Sequence, residues 1–165
     1  MNLYNLHSNP KELHGFDVVP YKAPDIAYWL AGRKPELRLK LEPAIMKDPR
    51  YAFEYAWMVL ERPWPEAEPY IMKDPEYAYM YARNVLKRPW PEAEPHIMKN
   101  PMWAYYYAKD VLKHPWSEAE PYIVKNSWFA ILYARDVLKR RWPEAESYIK
   151  KDQFWWNNYK KTFNL

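Results

Sequence analysis

The stretch Arg62-Pro63-Trp64-Pro65-Glu66-Ala67-Glu68-Pro69-Tyr70-Ile71-Met72-Lys73-Asp74-Pro75 decides how this chain is read. It returns as Arg88 to Pro101, as His114 to Ser127 and as Arg140 to Gln153. Trp64 to Trp90, Trp90 to Trp116 and Trp116 to Trp142 are each 26 residues. A fixed period within about 20–50 residues marks a protein built by stacking one small unit on the next. The expected fold is all-α: an α-solenoid of tandem 26-residue two-helix repeats with N- and C-terminal caps. It forms a single domain over 1–165, with a cap over 1–23, repeats over 24–152 and a capping helix over 153–165.

Each unit reads as a long helix followed by a short one. Asp48, Asp74, Asn100, Asn126 and Asp152 precede the long helices. These are the residue types whose side-chain oxygen best accepts a free backbone N–H at a helix start. Pro49, Pro75 and Pro101 follow, where the missing N–H costs nothing. Ala78, Tyr81, Ala82, Val85 and Leu86 lie on one face of a 3.6-residue helix, and the same face recurs in the other copies. Lys87-Arg88, Lys113-His114 and Lys139-Arg140 place cations at the helix end. The short helix is expected to begin at Pro65, Pro91, Ser117 or Pro143. Residues 24–46 are a degenerate first copy, with a deletion between Ala31 and Glu42. In the last copy Trp156 and Lys160 replace the two small Ala positions, as suits a helix with no neighbour beyond it.

Composition narrows the function classes. The 165 residues hold 17 Pro but 2 Gly, no Cys, and 25 Lys+Arg against 21 Asp+Glu, for a net charge of +4. Disulfides and thiolate metal sites are excluded. With a mean hydropathy of −0.72 and no apolar run near the roughly 20 residues of a bilayer span, no membrane association is expected. Met1-Asn2-Leu3-Tyr4-Asn5-Leu6-His7-Ser8 has neither a basic start nor an apolar core, so no signal peptide is expected. His7, His14, His96 and His114 make no ligand pair at helical spacing, and no Gly-rich phosphate loop is present. No catalytic residue, cofactor or metal is expected.

Three features could carry function. Trp64, Trp90, Trp116 and Trp142 are either stacking platforms for bases or sugars, or wedges between helices. Tyr55, Tyr81, Tyr107, Tyr133 and Tyr159 lie on the apolar face, and a buried Tyr needs a hydroxyl partner, for which Glu68, Glu94, Glu120 and Glu146 are candidates. Carboxylates present in every unit, such as Glu66 and Glu68, belong to a scaffold rather than to one catalytic site. The positions that vary between units are the better guide. Met80, Met102, Tyr106, Trp128 and Leu132 fall on one stripe of the long helices, beside Arg83, Lys109 and Arg135. They form either an apolar protein-contact patch or a surface buried against the short helices. The expected function is a non-enzymatic scaffold that binds another protein. The alternative is a nucleic-acid-binding repeat protein using basic and aromatic side chains.

The opening Leu3-Tyr4-Asn5-Leu6-His7-Ser8-Asn9-Pro10, together with the tandem W-P-E-A-E-P-x-I-x-K-[DN] and Y-A-x-x-V-L, resembles short helical-repeat proteins of tailed bacteriophages and environmental viral sequences. Members often carry Gly in the turn before the basic-aromatic pair, where this chain has Lys87, Lys113 and Lys139. The resemblance implies an origin and a scaffold but no activity, and no functional residues carry over from it. A phage origin implies action in host cytoplasm, on a protein of the host cell concerned with defence or regulation.

Overall fold

A computed structural model describes residues 23–165, so most of the cap expected over 1–23 lies outside the described residues. Every regular element among them is helical. In chain order these are α1 (Pro24–Arg33), a 3₁₀ turn (Pro35–Leu37), α2 (Arg38–Ile45), α3 (Pro49–Tyr55), α4 (Glu68–Ile71), α5 (Pro75–Tyr81), α6 (Glu94–Ile97), α7 (Pro101–Tyr106), α8 (Glu120–Ile123), α9 (Ser127–Tyr133), α10 (Pro143–Ile149) and α11 (Gln153–Phe163). Each odd-numbered helix from α3 to α11 packs on the next of that series.

The helix starts follow from local chemistry. Asp48, Asp74, Asn100 and Asp152 each accept from two backbone N–H groups, as Asp74 Oδ1 does from Glu76 and Tyr77 at 2.9 and 3.4 Å. Asn126 accepts from Phe129 alone, at 3.2 Å. The short helices start later than proline placement suggests. α4, α6 and α8 begin at Glu68, Glu94 and Glu120, after a turn, and only α10 begins at its Pro143. The difference is Ser147, which stands where the other copies carry Pro69, Pro95 and Pro121. A proline there offers no N–H to the preceding turn.

Four of the long helices do not end as α-helices. α3, α5, α7 and α9 each widen into a π segment, Ala56–Leu60, Ala82–Leu86, Tyr107–Leu112 and Ala134–Leu138. In a π turn the bonds run i→i+5, so more residues fill each turn. The winding carries the last apolar positions partly off the core face. Ala78, Tyr81 and Ala82 are fully buried, whereas Val85 and Leu86 are only half-buried.

Each π segment closes on a residue with positive φ: Glu61 (52°), Lys87 (53°), Lys113 (61°) and Lys139 (55°). The Lys113 N–H donates to the Ala108 carbonyl at 2.8 Å. A side chain in this left-handed conformation costs about 1–2 kcal/mol, which glycine avoids at a smaller entropic cost. Lys113→Gly is therefore expected to stabilise the protein by about 0.5–1 kcal/mol. Urea denaturation checks this, and a midpoint at or below that of the parent would show that the turn carries no such strain.

The core is continuous along the described chain and aromatic in character. It contains eight alanines of the long-helix face, Ala52, Ala56, Ala78, Ala82, Ala104, Ala108, Ala130 and Ala134, all at zero exposure. Having no bulk, they let neighbouring helices approach closely.

Candidate functional site

The recurring tryptophans are buried. Trp64, Trp90, Trp116 and Trp142 are 2–4% exposed, so they cannot act as platforms for a ligand ring. Each bridges two long helices. The Trp64 ring lies 5.0 Å from that of Tyr55 on α3, while its backbone N–H donates to the Tyr81 hydroxyl on α5 at 2.7 Å. That hydroxyl in turn donates to Glu68 Oε1 at 3.0 Å. The same relay runs from Trp90 through Tyr107 to Glu94, and from Trp116 through Tyr133 to Glu120. Tyr55 donates to Glu42 at 3.0 Å. Burial, and then the neighbouring carboxylate, pushes the Tyr81, Tyr107 and Tyr133 hydroxyls well above the usual phenol range. They stay protonated and can both accept and donate.

Glu146 is the exception among the expected acceptors. Trp142 donates to Tyr159 at 2.7 Å, but Glu146 is held by Arg141 Nη2 at 2.6 Å and by Lys150 at 3.3 Å. Arg141 occupies the position of Pro63, Pro89 and Pro115, and its guanidinium replaces the tyrosine as donor.

Arg83, Lys109 and Arg135 serve a second inter-helix network. The Tyr79 hydroxyl donates to Asp110 Oδ2 at 2.7 Å and accepts from Arg83 at 3.1 Å. The Tyr105 hydroxyl donates to Asp136 Oδ2 at 2.6 Å and accepts from Lys109 at 3.1 Å. Arg135 pairs with Asp136 at 2.6 Å. These cations are about half exposed, so a face remains open to solvent on each.

Arg135 above all, then the Tyr105 hydroxyl and Lys109, brings the Asp136 carboxyl down to about 2, against burial, which acts the other way. An unfolded Asp titrates near 3.9. The folded value is the lower one, so the stabilisation is complete above about pH 4 and is lost as pH falls through about 2. The denaturation midpoints of the parent and Asp136→Asn are expected to differ at pH 6 and to converge by about pH 2. A difference independent of pH would mean that the carboxylate charge contributes nothing.

The apolar stripe divides. Leu132 is 8% exposed and belongs to the core, so it is no surface residue. Met80, Met102 and Tyr106 are half-buried, and Trp128 is 43% exposed. What joins the exposed members is a row that the stripe reading missed. The third residue after each N-cap is aromatic in all five copies: Tyr51, Tyr77, Trp103, Phe129 and Trp155. Its invariance in character was the available signal. All five are half-buried. Tyr77, Trp103 and Phe129 lie 5.6–6.2 Å from the ring of Phe53, Tyr79 or Tyr105 on the preceding long helix.

Around α7, α9 and α11 this row widens into an aromatic surface. Tyr106 lies 5.9 Å from Trp103, Trp128 lies 5.4 Å from Trp155, and Phe154, 64% exposed, lies 4.8 Å from Trp155. An open cleft between the starts of α9 and α11 is lined by Lys125, Asn126, Ser127, Trp128, Phe129, Asp152 and Trp155. Charge changes along the same face. Residues 43–57 include Asp48 and Glu54, and residues 69–83 include Asp74 and Glu76, whereas 95–109 and 121–135 contain no Asp or Glu.

Over the described residues the chain is thus all-helical, with repeated helix packing. No family model matches the chain, and neither a curated protein nor a solved structure matches it. Among the described residues no helix is long and apolar enough to cross a membrane, and no three His, Asp or Glu side chains gather where they could hold a metal ion.

Proposed function

We propose that this chain is an α-solenoid of tandem 26-residue two-helix repeats, with no catalytic activity of its own, that binds another protein through the aromatic face of α7, α9 and α11. The observation that carries the reading is a contrast between two sets of aromatic side chains. The Trp–Tyr–Glu relay is buried and nearly identical from copy to copy, as a scaffold requires. Trp103, Tyr106, Trp128, Phe154 and Trp155 keep a share of exposure, the first three within the stretches 95–109 and 121–135 that hold no Asp or Glu. Aromatic side chains with few charges are what protein interfaces concentrate at their centres. The likeness of the opening stretch and tandem motif to phage proteins supports a protein of the infected cell as partner, acting in host defence or regulation.

The test is capture of partners by the tagged protein from nuclease-treated bacterial lysate, beside Trp128→Ala. A stoichiometric protein retained by the parent and lost with Trp128→Ala is the expected result. Capture that disappears on nuclease treatment, with steep salt dependence, would replace this reading with nucleic-acid binding.

A further inference from the structure

The face that loses its acidic residues keeps its lysines. Lys99 and Lys125 directly precede Asn100 and Asn126, where the two earlier copies have Asp48 and Asp74. The change leaves the helix start capped, because each Asn Oδ1 still accepts a backbone N–H. It also replaces the second carboxylate oxygen with an amide that donates. Met102 and Trp128 stand where Arg50 and Glu76 stand, and Tyr106 and Leu132 where Glu54 and Met80 stand. On α3 the corresponding pair closes on itself, with Arg50 bonded to Glu54 at 2.9 Å. On α7 and α9 apolar groups take its place, and the adjacent lysines are exposed. Lys125 lies over the Tyr122 ring at 5.2 Å, an arrangement in which the ammonium keeps its charge and an open side. One carboxylate, Asp152, lines the cleft, and its Oδ1 is engaged by the Phe154 and Trp155 N–H groups.

We propose that the face formed by the starts of α7, α9 and α11 takes an extended acidic segment of a partner protein. The segment's carboxylates meet Lys99 and Lys125, and its apolar side chains rest on Trp103, Trp128 and Trp155. This rests on the protein-binding reading above and names the chemistry of the partner. Charge complementarity selects the class: two cations, Lys99 and Lys125, one per copy, with aromatic ground between them and no fixed negative charge on α7 or the α-helical part of α9. A nucleic-acid strand fits less well. Trp128 and Trp155 are already in ring contact at 5.4 Å and tilted by 43°, so no base enters between them.

The experiment is fluorescence anisotropy on the full chain with three probes: a labelled peptide of four Glu-Pro-Leu units, its Lys-Pro-Leu counterpart, and an oligothymidylate. The acidic peptide is expected to bind. Its affinity should fall about tenfold in Lys99→Gln/Lys125→Gln, and by a similar factor in Trp128→Ala. It should be unchanged in Lys73→Gln, whose copy carries Asp74 and Glu76. Circular dichroism confirms that the variants fold. Failure of the acidic peptide to bind, or equal loss in Lys73→Gln, overturns the proposal. Preference for the basic peptide, still lost in Trp128→Ala, overturns the charge class but leaves the protein-binding reading standing. Binding of the oligothymidylate alone overturns both.

Discussion

Removing residues 153–165 is expected to make the protein self-associate or to unfold its last helices. α11 supplies the Tyr159 hydroxyl that accepts the Trp142 N–H at 2.7 Å, and Tyr159 itself is fully buried. Trp156 stacks on Tyr159 at 5.5 Å, and Lys150 lies over Trp156 at 4.5 Å. Without α11 the Trp142 N–H loses its acceptor, and Ala130, Ala134 and their neighbours on α9 lose the helix that covers them. Burying one large apolar side chain contributes about 1.5–3 kcal/mol, and an orphaned buried N–H costs about 1–3 kcal/mol. Several kcal/mol of a stability that is commonly 5–15 kcal/mol therefore depend on this one element. Light scattering measures association, and circular dichroism measures helix content. A truncated chain that stays monomeric, and loses only the helicity of the deleted segment, would show that residues 153–165 are a tail and not a cap.

The second large effect is expected from Tyr107→Phe, which removes one oxygen. The hydroxyl accepts from the buried Trp90 N–H at 2.7 Å and donates to Glu94 at 3.0 Å. Phe keeps the ring packed 5.1 Å from Trp116, so the loss isolates the hydrogen bonds. Leaving the N–H without an acceptor costs about 1–3 kcal/mol, and the lost donor to a charged carboxylate adds to it. Tyr106→Phe, on a half-exposed neighbour, is expected within about 0.5 kcal/mol of the parent. Urea denaturation of the two variants decides the matter. Equal midpoints would mean that water satisfies the Trp90 N–H as well as Tyr107 does. Tyr81→Phe and Tyr133→Phe should behave like Tyr107→Phe, since the relay around them has nearly the same distances.

The sequence by itself determined that the described chain is helical and where its long helices begin. Those features depend on groups within three residues of each other. Asp48 caps Arg50 and Tyr51, and Asp152 caps Phe154 and Trp155. The 26-residue period also set the scaffold tyrosines, tryptophans and alanines in register, and identified Glu68, Glu94 and Glu120 as acceptors for tyrosine hydroxyls.

The tertiary structure decided what depends on groups far apart in the chain. Trp64 is buried, with its ring against Tyr55 and its backbone N–H bonded to Tyr81, seventeen residues on. Arg83 and Lys109 are tied to Asp110 and Asp136 of the following helix, which no spacing within one helix reveals. Leu132 and Trp128 are both apolar and one helical turn apart, yet one is core and the other surface. Periodicity specifies which residues share a direction, but burial depends on what arrives from the next helix to cover them. The same limit hid the widening of α3, α5, α7 and α9 into π turns and the diversion of Glu146 to Arg141. Glu146 changed partner because Arg141 stands where the other copies carry Pro63, Pro89 and Pro115, and its guanidinium reaches the carboxylate first.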